Sequence, residues 1–133
     1  NRFIRPILAS VVWAAVDEDT PELRRWLRSN ISGYMFAMTP YRRAIRDNGF
    51  ATAVQQLEEA GARGDRDGVR NALPEELLEQ MVMFGPLARV QSGLARLVDA
   101  GVERFLIMPV TAQKDGLAAC RHTIEALAPA LKP

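Results

Sequence analysis

The stretch DAGVERFLIMPV, residues 99–110, ends a helix, stops at a glycine and continues as a short strand that is apolar on both faces. Strands of that kind belong to parallel sheets covered by helices on both sides, because a half-wet strand would alternate polar and apolar residues. A second such run, Ile7 to Val16, lies near the start, and a third, MVMFGP at 81–86, is brief. Three strands alone leave two unpaired edges open to aggregation. The central question is therefore what completes the sheet in a chain of 133 residues.

Between the strands the pattern is helical. The Ile7 to Val16 run reads first as a buried strand and second as a buried helix. Thr20 can cap a helix that begins at Pro21, where no N–H is needed, with Glu22 at its positive end. Leu23, Trp26, Leu27, Ile31 and Tyr34 then fall on one stripe. A break is expected at Thr39-Pro40, a helix from Pro40 to Asn48, a left-handed stop at Gly49, and a further helix carrying Phe50, Val54 and Leu57 to Gly61. The polar connection GARGDRDG follows, then two short helical pieces, Val69 to Leu73 and LPEELLEQ, the latter opened by Pro74. After Gly85-Pro86 a helix places Val90, Leu94, Leu97 and Val98 on one face and ends at Gly101, with Val102 as its hydrophobic contact. A strand, a polar loop from Thr111 to Gly116 and an amphipathic helix with Leu117, Cys120, Ile124, Leu127 and Leu131 complete the order. Strands alternating with helices imply right-handed crossovers and a parallel sheet. A closed eight-stranded barrel needs about 250 residues. This α/β chain would then be its C-terminal part, about three strand-helix units with extra helices of a (β/α)8 TIM barrel, and the competing answer is an independent small α/β sandwich.

Several classes are disfavoured by composition. Hydrophobic residues make up 48% and charged residues 25% of the chain, as in a soluble globular protein. The 17 Lys and Arg nearly balance the 16 Asp and Glu, so no global field draws nucleic acid or an anionic membrane. No apolar run approaches the roughly 20 residues that span a bilayer. One cysteine, Cys120, excludes an intramolecular disulfide framework and a cysteine-rich metal site, and a reducing, cytoplasmic setting fits it. The chain opens on Asn1, not Met, which points to processing or to a piece of a longer protein.

The succession PILASVVWAAVDED, LRRWLRSNISGYMFAMTPYRRAIRDNGF, GDRDGVRNALPEELLEQ, FGPLARVQSGLARLVDAGVERFLIMPV resembles the C-terminal part of luciferase-like flavin- or coenzyme F420-dependent oxidoreductases. Its more specific pieces are a Tyr-containing helix leading to Gly49-Phe50, a Gly64-Asp65 turn before LPEEL, and the Gly85-Pro86 turn before a helix that ends Ala100-Gly101-Val102. Two departures stand out. Leu87 occupies a place where many members carry an acid, and Glu75, Glu76 and Glu79 precede the short strand where sugar-phosphate-oxidising relatives carry basic residues. The resemblance implies one barrel domain to which residues 1–133 contribute the C-terminal portion. Coenzyme F420 or FMN would lie at the barrel mouth and be bound mostly by earlier strands, so this portion alone would be inactive. It also implies a small-molecule substrate, no nucleic acid, no membrane, and either a homo-oligomer or pairing with the rest of the barrel. The alternative reading is a stand-alone helix-rich α/β interaction module without redox activity.

In a barrel the loops at strand C-termini carry function. That singles out Asp17, Phe84, Gly85, Met108, Pro109, Thr111, Gln113 and Lys114 as pocket candidates, with Lys114 the best anion contact; no catalytic residue and no metal ligand is assigned. A solvated connection is the plainer reading of the last loop. Cys120 and His122, two apart on a helix, point to different sides and cannot act as nucleophile and base. The thiol is expected among the apolar side chains and the imidazole outside. Three further features read as structural: GARGDRDG as a helix connector, Arg24-Arg25-Arg28 and Arg42-Arg43-Arg46 as solvated faces pairing with acids, and Trp26, Tyr34, Met35, Phe36 and Met38 as core packing. A subunit interface or an apolar pocket wall is the second reading of that last cluster.

Overall fold

The computed structural model describes residues 5–131. In chain order the elements are β1 (Ala9–Val16), α1 (Pro21–Ala37), α2 (Thr39–Ile45), a π-type turn (Arg46–Phe50), α3 (Ala51–Ala62), α4 (Arg66–Asn71), α5 (Glu75–Met81), β2 (Val82–Gly85), α6 (Leu87–Asp99), β3 (Arg104–Pro109), α7 (Gly116–Leu127) and a 3₁₀ turn (Ala128–Leu131). They fall into two compact units. One is the chain up to Asp19 together with the chain from Met81 onward, and the other is Thr20–Gln80.

The first unit is α/β. Its three strands are all parallel, as expected, in the order β2-β1-β3. That order differs from the one in a barrel, in which consecutive staves lie side by side and β2 would separate β1 from β3. Here β1, the longest strand and rich in Val and Trp, takes the centre and has both edges paired, while four-residue β2 and the β3 strand bound the sheet. Placing the longest apolar strand centrally leaves the least backbone unpaired. One face of the sheet is packed: Val12, Ala14 and Val16 form a core with Val90 and Leu94 of α6 and Leu127 of α7, against which Met83, Leu97, Phe105 and Ile107 pack. Gly101 ends α6 as expected. At φ 96 it is in the left-handed region, its N–H donates to Val98 O and the Val102 N–H to Leu97 O, and Val102 is buried.

The stripe of α6 faces the core at Val90, Leu94 and Leu97, with Val98 exposed, whereas that of α7 is rotated from expectation, with Leu117 and Ile124 exposed. The buried positions of α7 are Thr123 and Leu127. Thr123 is drawn inward because its hydroxyl accepts the buried N–H of Val16 at 3.1 Å, and Ile124, about 100° further round the helix, then faces out. Cys120 is half-buried, not sealed in an apolar face, with its thiol donating to Pro109 O at 3.7 Å. The side chain of Leu131 lies outside the described residues.

The second unit is helical. The Thr20 hydroxyl accepts the Leu23 N–H at 3.1 Å, and Pro21 opens α1. The buried stripe of α1 is Leu23, Leu27, Ile31 and Met35; Tyr34, expected inside, is exposed one position round, and Trp26 is half-buried. The break at Thr39-Pro40 appears as the boundary between α1 and α2, and Gly49 is left-handed at φ 97. The predicted connector GARGDRDG is partly helical: Asp65 caps α4 by accepting the Gly68 N–H at 2.8 Å, so its last three residues already belong to that helix. No helix of the described residues is long and apolar enough to cross a membrane.

Candidate strand-end site

The carboxyl ends of three parallel strands bring distant parts of the chain together, and that end of an α/β sheet is where ligands bind. The Asp17 N–H donates to Gly85 O at 3.1 Å and the Val110 N–H to Ala14 O at 2.9 Å, which ties the loop after β1 to β2 and the start of the loop after β3 to β1. The Asp17 carboxylate then takes two further hydrogen bonds, from the Glu18 N–H at 2.7 Å and from Gln113 Nε2 at 2.7 Å. Gln113 is itself positioned, since its N–H donates to Thr111 Oγ1 at 3.0 Å. Asp115 caps α7 by accepting the Ala118 N–H at 3.1 Å. Beside these groups opens a cleft of about 610 Å³ lined by Val16, Asp17, Glu18, Pro86, Leu87, Gln113, Ala118, Ala119 and His122.

Three candidates from the sequence therefore meet: Asp17 and Gln113 through their side chains and Gly85 through its backbone, with Thr111 steering Gln113. Gly85 is needed as glycine, because its φ is 114 and an added Cβ would lie 3.2 Å from Arg89 Cδ. The others stand apart. Phe84 is buried on the sheet face opposite the α6 and α7 core, with the Arg89 guanidinium 5.0 Å from its ring centroid. Met108 lies on that same face, half out in solvent, because alternation along β3 turns it away from the packed side. Pro109 contributes its carbonyl to Cys120, and Lys114 is exposed and not among the cleft-lining residues. The sequence reading missed Ala118, Ala119 and the ion pair of Arg89 with Asp19 at 2.8 Å. A visible signal existed for the pair, since Arg89 falls in the first turn after Gly85-Pro86 and the run Asp17-Glu18-Asp19 is the acidic end of β1. His122 is exposed as expected, at the cleft wall.

The arginine clusters pair with acids. Glu75 bridges Arg24, at 2.6 Å, and Arg28, while Glu58 bridges Arg42 at 3.0 Å and Arg46 at 3.2 Å. Such surface pairs are worth about 0–1 kcal/mol each. Among the described residues no group of three or more His, Cys, Asp or Glu side chains is arranged to hold a metal ion. In the α1 cluster, Met35 is core, while Tyr34, Phe36 and Met38 are exposed; Tyr34 and Tyr41 rings meet edge to face at 5.1 Å, and their hydroxyl hydrogen bond holds Tyr34 above the usual phenol range.

Comparison with protein-family models, curated proteins and solved structures finds no match for this chain.

The cleft can be tested against a flavin or deazaflavin by the groups it offers. Its apolar wall of Val16, Pro86, Leu87 and Ala118 suits a flat ring, and the Gln113 amide and Asp17 carboxylate suit the ring's polar edge. The phosphate-bearing tail is not provided for: Asp17, Glu18 and Asp19 are consecutive acids, and Arg89 is engaged by Asp19. These residues therefore fit part of the ring and not the whole cofactor.

Proposed function

We propose that the chain is the C-terminal portion of a luciferase-like TIM-barrel oxidoreductase that transfers hydride between a coenzyme F420 or FMN ring and a small organic substrate. The observation that supports this reading is the convergence of Asp17, Gly85 and Gln113, from the three strand-helix segments that resemble that family, at the strand carboxyl ends, where Asp17 and Gln113 line one cleft. When bound, the ring supplies the redox chemistry. The contribution of this chain is to present Asp17 and Gln113 to the ring edge or substrate and to exclude water with Val16, Leu87 and Ala118; the cofactor phosphate is held by residues beyond these. Titration of the full-length gene product with FMN and with F420, followed by ring absorbance and fluorescence, should give saturable binding of one of them, weakened by Gln113→Ala. Failure to bind either cofactor would overturn the proposal.

A specific observation favours a second reading, the stand-alone α/β interaction module: β3 pairs with β1, whereas a barrel requires it beside β2. Proton contacts across the strands of the intact protein separate the two. Val11 against Leu106 marks the module, and Met83 against Leu106 marks the barrel.

A further inference from the structure

We propose that the helical unit carries a second binding site, for a small apolar monoanion such as an aromatic or aliphatic carboxylate, in a slot between α1 and the turn joining α3 to α4. The slot has a volume of about 530 Å³ and is bounded by Gly33 and Phe36 of α1, Gly61, Gly64, Arg66 and Val69, a size that suits a small organic molecule. Gly33 is what opens it. Glycine is the poorest helix former after proline, yet Gly33 lies within α1, and a Cβ added there would meet nothing within 4 Å, so close packing does not account for it. The Phe36 ring forms one wall. It lies so close on Gly61 that a Cβ there would be 2.0 Å from the ring, while 44% of the residue remains exposed. Part of an aromatic surface is thus left open, suited to stacking on a flat apolar molecule.

Charge selects the sign of the ligand. Asp65, which lines the slot, accepts the Gly68 N–H that starts α4, and Arg70, also in the lining, pairs with Asp67. Arg66 lines the slot beside Asp65 and Arg70 and forms none of the ion pairs described above, so the lining carries one positive charge in excess, two arginines against one aspartate. One guanidinium beside an apolar recess recognises one carboxylate on an apolar body. The site belongs to a different unit from the strand-end cleft and does not depend on the oxidoreductase reading.

The test is an amide NMR titration of the intact chain with 2-naphthoate, and with neutral 2-naphthol as the comparison. Saturable shifts centred on Gly33, Gly61 and Gly64 are expected, with naphthoate about ten-fold tighter than naphthol, the discrimination a charge-assisted contact supplies. Arg66→Gln should bring naphthoate down to the naphthol level. Gly33→Leu places a better helix former into open space, so it should fold at least as well by thermal melting and abolish binding of both. Absence of shifts at the glycines, equal affinity for the two probes, or retained binding in Gly33→Leu would each overturn the proposal. If Gly33→Leu fails to fold, the probe comparison and Arg66→Gln decide it.

Discussion

Val12 and Val11 are neighbours on β1 with identical side chains, yet the first is 6% exposed and the second 57%. On the face of Val12, the side chains of Ala14, Phe105 and Ile107 lie under α6 and α7. On the face of Val11, Leu106 and Met108 stand in solvent, although Ala15, Val82 and Phe84 on the same face, towards β2, are buried. The bare area is therefore confined to the β1 and β3 side, next to the edge of β3 that pairs with no strand among the described residues. Apolarity marks a strand residue as fit for burial, and the presence of a covering element decides whether burial occurs. An uncovered apolar patch beside a free strand edge is the physical form of the question raised by the sequence, and either further strands or another copy of the chain would answer it.

The largest effect is expected on the packed face. Leu94 of α6 is 4% exposed and belongs to the core beneath Val12. Leu94→Ala should lower the unfolding free energy by about 2–5 kcal/mol, the range for truncating a buried leucine without full collapse of the cavity, as measured by chemical denaturation. A loss no larger than that of a surface substitution would mean that α6 does not seal this face, and the contrast between the faces would disappear.

Much of this fold was legible in the sequence, because strand runs, caps and glycine stops act locally. Thr20 and Pro21 set the start of α1, and Gly101 with Val102 set the end of α6, through contacts within a few residues. What was not legible depends on distant partners. Strand order turns on which edges find neighbours, and the inward face of α7 on a hydrogen bond from Val16 to Thr123, 107 residues away. The site divides in the same way. Asp17, Gly85 and Gln113 come together because strand ends collect at one place, while alternation along each strand, read against the final register, turns Phe84 and Met108 to the other face.

A middle-sized effect should come from Thr123, which ties α7 to the end of β1 directly below the cleft. Thr123→Val keeps the shape and removes the acceptor, leaving the buried Val16 N–H without a partner. The expected cost is about 1–3 kcal/mol, and Thr123→Ser should recover most of it. If valine were tolerated as well as serine, packing alone would hold α7, and the hydrogen bond would not explain why Ile124 faces outward.

The smallest change in stability, and the sharpest test of the contrast, belongs to the bare face. Leu106 is 62% exposed and Met108 43%, so Leu106→Thr combined with Met108→Thr removes little apolar area that folding buries and supplies two residues with good strand propensity. Unfolding free energy should move by about 0.5 kcal/mol or less per site. Self-association should fall instead, seen by sedimentation across a concentration series, because the patch beside the free edge of β3 becomes polar. A loss of stability comparable to that of Leu94→Ala would show that this face is covered in solution. Unchanged association with unchanged stability would place the contact on the backbone edge of β3, where side-chain chemistry has little hold.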